Sequence, residues 1–237
     1  MTQVPSPEEN NRNGLSKIPQ ALSRVQERKA VEYIEDTFMD ISGAFKKRLE
    51  PSMTSLPTLT AYLDATQKLL AFILQIPPID PSSYLRTAFL LRLTGDVMTS
   101  VPGYPPEMKE LQSLLDFLDD LDQAWLAVLK SQVWDPTAGE GVDLIVPVNQ
   151  IKPGEPPIKS SPVSQTEKTR LRSLLVTGTA GLEEWLTGLD TNGEDYPLAL
   201  QSAGLLQGFD DLFSGTLSEM GTYDGSINDV AGMEGTC

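Results

Sequence analysis

Residues 106–133 read PEMKELQSLLDFLDDLDQAWLAVLKSQV and carry the most regular apolar pattern in the chain. Because an α-helix has about 3.6 residues per turn, apolar residues spaced alternately by three and four lie on one face of a helix. Pro106 suits the first turn of that helix, where its missing N–H is not needed. We therefore predict a helix over about 106–133 that buries the face formed by Leu111, Leu114, Leu118, Leu121, Trp125 and Val128.

Five further stretches show apolar residues at helical spacing, separated by breaks rich in proline and glycine. The stretch at 82–100 is apolar on almost every side, which is typical of a helix at the centre of a bundle. Ser82 or Ser83 is expected to cap this helix, and Ser164 with Glu167 is expected to form a capping box. The patterns predict an all-α fold, an antiparallel bundle of about six helices, over 18–49, 58–76, 82–100, 106–133, 164–189 and 198–213.

Composition divides the chain into five segments. Residues 1–14 and 214–237 are predicted to be disordered tails, the second of them acidic and rich in glycine. Residues 15–134 are expected to form a four-helix N-terminal bundle, on which a two-helix segment over 164–213 packs. The connecting residues 135–163 are rich in Pro, Gly and Ser, so we expect a flexible loop there, in which the apolar run at 142–146 could pair as a strand or dock on the bundle.

The composition also limits the chemistry open to this chain. Histidine is absent from all 237 residues, and the one cysteine is Cys237. Histidine is the commonest general base near neutral pH, and histidine and cysteine are the usual ligands of transition metals. The chain contains no nucleophile elbow, no P-loop and no dinucleotide-binding glycine motif. We therefore expect no catalytic residue, no cofactor and no metal site.

Two acidic stretches require a separate interpretation. Asp116, Asp119, Asp120 and Asp122 lie off the apolar face of the fourth helix, so we interpret them as a solvated surface rather than a carboxylate metal site. The stretch DTNGED at 190–195 lacks the glycine and the glutamate that a calcium-binding loop needs at its sixth and twelfth positions. We interpret it as a turn.

The formal net charge of −15 is unevenly distributed. Residues 1–106 hold eleven acids and eleven bases, 107–140 hold eight acids and two bases, and eleven acids with no base follow Arg172. Nucleic-acid binding needs cations, and acidic surfaces are repelled by anionic membranes, so we expect neither kind of partner. The N-terminus shows no targeting pattern and the cysteine is unpaired, which together predict a cytoplasmic or nuclear location.

The acidic C-terminal region contains the main candidate for contact with a partner. Apolar and acidic residues mix there in a way typical of a segment that docks into a groove, at Leu205, Leu206, Phe209, Asp210, Asp211, Leu212 and Phe213. Trp134 is a further candidate because it follows a helical stripe, whereas Trp125 and Trp185 lie within such stripes and are expected in the core. The alternative is that residues 205–213 close the bundle of their own chain.

These observations favour a non-catalytic helical scaffold or adaptor, a subunit of a larger assembly, whose protein partner presents a basic-rimmed apolar groove. The alternative is a carboxylate-dependent enzyme or a small-molecule-binding helical bundle. An apolar pocket between helices with converging Asp or Arg groups would favour that alternative. The oligomeric state is left open.

Overall fold

The computed structural model describes residues 20–145, 159–191 and 193–224, so the tail predicted over 1–14 lies outside the described residues. The described residues are mostly helical, which confirms the all-α fold class. The helices are α1 (Arg24–Lys46), α2 (Leu59–Leu74), α3 (Ser82–Ser100), α4 (Met108–Leu129), α5 (Gln165–Leu186), α6 (Tyr196–Ser202), α7 (Leu206–Asp210) and α8 (Ser214–Asp224). A 3₁₀ turn (Val101–Gly103) follows α3, and strands β1 (Val133–Asp135) and β2 (Glu140–Val142) follow α4.

Helix α3 lies at the centre of the bundle, as its apolar sequence predicts. It packs against α2, α4 and α5, and Leu90 and Val97 are fully buried. Helix α5 approaches it closely at Gly178, where a Cβ atom would lie 2.6 Å from Met98 Cγ. The missing side chain at this position therefore lets the two helices touch.

The predicted apolar face of α4 is buried along its whole length. All of its members are buried: Leu111, Leu114, Leu118, Leu121, Trp125 and Val128. The Trp125 indole N–H donates to Thr94 Oγ1 at 2.9 Å, so the ring packs against α3 with its polar atom satisfied. Burying one such large apolar side chain contributes about 1.5–3 kcal/mol, which makes this face a main source of stability.

One continuous hydrophobic core joins the N-terminal and C-terminal helices. It extends from Ile34 in α1 to Met220 in α8, and α5 contributes Leu171 to it. The Trp185 indole N–H donates to the Tyr104 carbonyl at 2.7 Å, which fixes the end of α5 beside the 3₁₀ turn. The C-terminal helices thus pack on the rest of their own chain.

The helix caps agree with the sequence at α5 and differ at α3. The capping box at Ser164 is confirmed. The prediction that Ser82 or Ser83 caps α3 is wrong, because neither side chain accepts from the first-turn amides. The Ser82 hydroxyl accepts from the Leu22 N–H at 2.8 Å, and the Ser83 hydroxyl donates to Asp80 Oδ1 at 2.5 Å. Ser82 therefore serves a tertiary contact, and Ser83 a local contact with the turn before α3.

Both described ends of the loop predicted over residues 135–163 contact the rest of the chain, and the flexibility of that loop stays a prediction. Strands β1 and β2 form an antiparallel hairpin that packs on α4. The turn of this hairpin is fixed by Asp135, whose carboxylate accepts from the Thr137 amide at 2.8 Å. At the other end, the Asp80 amide donates to the Lys159 carbonyl at 2.9 Å. Backbone hydrogen bonds and the Asp135 carboxylate thus hold both of these segments in place.

The single helix predicted over 198–213 and the disordered tail predicted over 214–237 are both wrong within the described residues. The chain forms three short helices there, α6, α7 and α8. Gly204, with a left-handed φ of 73°, ends the turn after α6, and Phe213, with a φ of 56°, separates α7 from α8. Helix α8 packs on α4 and buries Met220, so tertiary contact stabilises it.

Candidate protein-interaction surface

Helix α7 meets α4 at Leu115. A Cβ atom at Gly208 would be 3.0 Å from Leu115 Cδ1, so glycine lets the α7 backbone approach that side chain. Leu206, Phe209 and Leu212 pack against the core but remain partly exposed. We name the exposed and partly exposed residues on the two sides of this contact the α4–α7 surface: Leu115, Asp116, Asp119, Leu206, Phe209, Asp210, Asp211 and Leu212.

The segment that follows α7 is bound to α4 by hydrogen bonds with Asp122. Its carboxylate accepts from the Thr216 N–H at 2.9 Å, and its carbonyl accepts from the Thr216 hydroxyl at 3.3 Å. Asp122 is only 8% exposed, so the interpretation of the α4 aspartates as a solvated surface is wrong for this residue. Its burial is tolerated because its carboxylate is hydrogen-bonded. Leu115, Asp119 and Asp122 share one face of α4, along which the chain from α7 to Thr216 therefore runs.

The acids of the α4–α7 surface form no ion pair with a lysine or arginine of the described residues. Asp116 and Asp211 instead accept hydrogen bonds at 2.7 Å from Gln112 and Gln207, each four residues earlier in the chain. Burial raises the pKa of the Asp119 carboxyl, and repulsion from the neighbouring aspartates of α4 raises it further. A cation brought by a partner would offset this repulsion, so the surface favours a basic ligand.

The predicted partner residues of the C-terminal region fall into two groups. Leu205 and Phe213 are 8% and 2% exposed, so they close the core of their own chain and are not open to a partner. The others face at least partly outward and belong to the α4–α7 surface: Leu206, Phe209, Asp210, Asp211 and Leu212. Sequence reasoning missed the contribution of α4 to this patch, because nothing local indicates that α7 folds onto Leu115.

Trp134 lies apart from the α4–α7 surface. It stands in β1 opposite Gly141 and packs partly against the core. Gly141 meets α4 at Ala127, which is about 18 Å along the helix from Leu115 at 1.5 Å per residue. Trp134 is the most exposed of the three tryptophans, as predicted, but it is not part of this patch.

A recess lies between α1, α2 and α3. Its volume is about 190 Å³, and its lining combines the apolar Phe38 and Leu93 with the carboxyl-bearing Asp96. Burial raises the pKa of the Asp96 carboxyl, whereas the positive charge of Arg92, 3.9 Å away, lowers it. The Tyr62 hydroxyl donates to the Asp96 carbonyl at 3.3 Å. Sequence reasoning did not identify this recess, because its lining residues are dispersed over three helices.

Arg86 is a charged side chain inside the core, with 1% of its surface exposed. Its Nη1 donates to the Gln132 carbonyl at 2.6 Å, which ties α3 to the chain just before β1. Its Nε and Nη2 atoms have no hydrogen-bond partner in the part of the chain that the structure describes. Burial lowers the pKa of the guanidinium to about 10. The arginine therefore joins two elements at a cost in desolvation.

No protein-family model, curated protein or solved structure matches this chain. Among the described residues, no group of three or more cysteine, aspartate or glutamate side chains is placed to hold a metal ion. None of the described helices has the length and apolar character required to cross a bilayer.

Proposed function

We propose that this chain is a non-catalytic adaptor, a subunit of a cytoplasmic or nuclear protein assembly, that binds its partner through the α4–α7 surface. The observation that carries the proposal is the mixture on that surface of partly exposed apolar side chains with acids that lack a cationic partner among the described residues. The partner that fits has an apolar recess rimmed by lysine and arginine.

The chemistry of protein interfaces supports this assignment. Interfaces typically combine an apolar centre with a polar rim, and aromatic side chains supply a large share of the binding energy. On the α4–α7 surface Phe209 is the aromatic candidate for the centre, and Asp210 and Asp211 stand directly beside it in the chain. Charged rims mainly raise the association rate, whereas the buried anchor slows dissociation. The two kinds of residue should therefore affect binding differently.

The test compares two charge-matched variants of the full chain. Asp210→Asn with Asp211→Asn removes two charges from the surface, and Glu183→Gln with Glu184→Gln removes two exposed charges from α5. Each tagged protein is purified at native expression level and its captured proteins are quantified by mass spectrometry. We expect a stoichiometric partner that the first pair loses and the second pair keeps. Equal capture by both pairs, or no stoichiometric partner, would overturn the proposal.

A second candidate function is the binding of a small molecule in the recess between α1, α2 and α3. Its lining combines apolar side chains with hydroxyl groups, Lys46 and Asp96, which meets in part the condition for a small-molecule-binding bundle. At about 190 Å³ it is smaller than the roughly 300–1,000 Å³ of pockets that enclose drug-sized ligands, which ranks this function second. Native mass spectrometry of the purified chain tests it, because a bound small molecule should be lost in Asp96→Asn. The absence of any added mass on the unmodified chain would exclude it.

A further inference from the structure

Residues 159–163, named here the strap, lie beside the turn that precedes α3 and are held there by Asp80. The Asp80 N–H donates to the Lys159 carbonyl at 2.9 Å. In return, the Asp80 carboxylate accepts from the Ser161 N–H at 3.1 Å and from the Ser161 hydroxyl at 2.6 Å. Val163, at the end of the strap, is buried. A single carboxylate thus organises most of the polar contacts of this segment.

The carboxylate of Asp80 only accepts hydrogen bonds, because it is ionised. The Ser83 hydroxyl donates to it as well, at 2.5 Å. These donors hold the pKa of the Asp80 carboxyl below its usual range. The hydrogen bond from the Ser161 hydroxyl contributes most to this lowering. The position beside this carboxylate therefore suits a donor and excludes a second anion.

Ser161 is exposed and is followed by Pro162, which is also exposed. The Ser–Pro dipeptide is the minimal substrate pattern of proline-directed kinases, and it is common enough that the pattern alone means little. Here the serine of the dipeptide is Ser161, whose hydroxyl donates to the Asp80 carboxylate and so holds the strap in place. We propose that Ser161 is a phosphorylation site for a proline-directed kinase, and that its phosphate releases the strap from Asp80.

The reaction transfers the γ-phosphoryl group of ATP to Ser161 Oγ. The bond between that phosphorus and the ADP oxygen breaks, a bond from phosphorus to Oγ forms, and the hydroxyl proton is lost. Ser161 then has no side-chain donor for Asp80, and it carries a charge of about −1.5 to −2 at neutral pH. The kinase captures the strap when it is open, and the phosphate prevents its return.

Two features near Ser161 attract an anion and must be weighed against this repulsion. Lys159 lies close enough to Asp80 to lower the pKa of its carboxyl, and the start of α3 has the positive end of a helix dipole. The first amides of α3 are already used, because Ser82 and Ser83 both donate to the Ile79 carbonyl. Asp80 is in direct contact with Ser161, so its negative charge dominates.

Release of the strap from Asp80 should not unfold the neighbouring helix α5. Helix α5 begins directly after the strap with its own capping box, in which the Ser164 and Glu167 side chains each accept from the other residue's backbone N–H. This cap does not depend on Asp80, so α5 keeps its start when the strap leaves. The expected result is an opened segment between Lys159 and Val163 on an otherwise folded chain.

Hydrogen exchange on the full chain tests the proposal. Ser6→Ala removes the other Ser–Pro dipeptide, and the protein is then treated with a purified proline-directed kinase and ATP. Mass spectrometry should place one phosphate on Ser161, and the Asp80 and Ser161 amides should exchange at least about ten-fold faster than in the unmodified protein. The amides of α4 should exchange at unchanged rates.

Asp80→Asn supplies the matched control. The asparagine keeps an oxygen that accepts from Ser161, but it carries no charge and its amide can donate to a phosphate. Phosphorylation should therefore accelerate exchange much less in this variant. The proposal would be overturned if the folded chain takes no phosphate at Ser161, if the phosphorylated chain exchanges at the unmodified rate, or if Asp80→Asn shows the full acceleration.

Discussion

The contact between α3 and α5 yields a sharp prediction about two glycines of the same helix. A Cβ atom at Gly178 would lie 2.6 Å from Met98 Cγ and 2.9 Å from Met98 Cβ, whereas a Cβ atom at Gly181 would meet nothing within 4 Å. Rotation of the Met98 side chain can move Cγ and Sδ away, but Cβ is fixed by the backbone. Gly178→Ala therefore forces the two helices apart, and Gly181→Ala does not.

The magnitudes follow from two opposing effects. Alanine is better than glycine inside a helix by about 0.5–1 kcal/mol, and both substitutions gain this amount. Overpacking a tight contact costs about 1–3 kcal/mol, and only Gly178→Ala incurs this cost. Gly181→Ala should thus stabilise the protein, and Gly178→Ala should be less stable than Gly181→Ala by about 1–3 kcal/mol.

Urea unfolding of the two variants beside the unmodified protein measures this difference directly. For a chain of this size, about 2–4 °C of melting temperature corresponds to each kcal/mol, so thermal melts should separate the two variants by about 2–12 °C. If the two variants are equally stable within about 0.5 kcal/mol, α3 and α5 do not meet at Gly178 and the packing described here is wrong.

Three further substitutions test the core, the buried charge and the attachment of α8. Leu118→Ala should lower the free energy of unfolding by about 2–5 kcal/mol because Leu118 is buried in the α4 face, and a loss under about 0.5 kcal/mol would contradict this placement. Arg86→Met removes a buried charge that has no anionic partner among the described residues and should leave the free energy of unfolding unchanged or higher, so a loss above about 2 kcal/mol would show that the charge is compensated. Asp122→Ala leaves the buried Thr216 amide without an acceptor and should cost about 1–3 kcal/mol, while Asp116→Ala on the exposed side of the same helix should stay within about 0.5 kcal/mol of the unmodified protein. Denaturant unfolding checks all three, and equal effects at Asp122 and Asp116 would contradict the contact with α8.

Local patterns predicted the parts of the fold that local physics determines. The apolar face of α4 and the central place of α3 followed from the spacing and the density of apolar residues along each helix. The capping box at Ser164 was equally visible, because both of its partners stand within three residues of each other. Burial of Trp125 and Trp185 followed from their positions in helical stripes.

The parts that sequence reasoning missed depend on contacts between distant residues. Helix α8 is short and rich in glycine and polar residues, so its sequence predicts no stable helix, and it is stabilised by its packing on α4. Asp122 was placed in solvent because its acceptor role depends on Thr216, which is 94 residues later in the chain. The break at Gly204 that divides the predicted sixth helix was visible as a glycine, but its left-handed φ was not. The sequence pattern therefore predicted the α7 residues of the α4–α7 surface as a partner site. Nothing in the sequence indicated that residues of α4 belong to the same surface.

The most direct measurement of the central claim is the association rate constant of the captured partner with three proteins at about 50 and 500 mM salt. These are the unmodified chain, Asp210→Asn with Asp211→Asn, and Glu183→Gln with Glu184→Gln. At low salt the surface pair should associate several-fold more slowly than the other two proteins. At high salt, where the Debye length shrinks to a few Å, the three rates should converge. Equal association rates of all three proteins at low salt would contradict the claim that a basic partner docks on the α4–α7 surface.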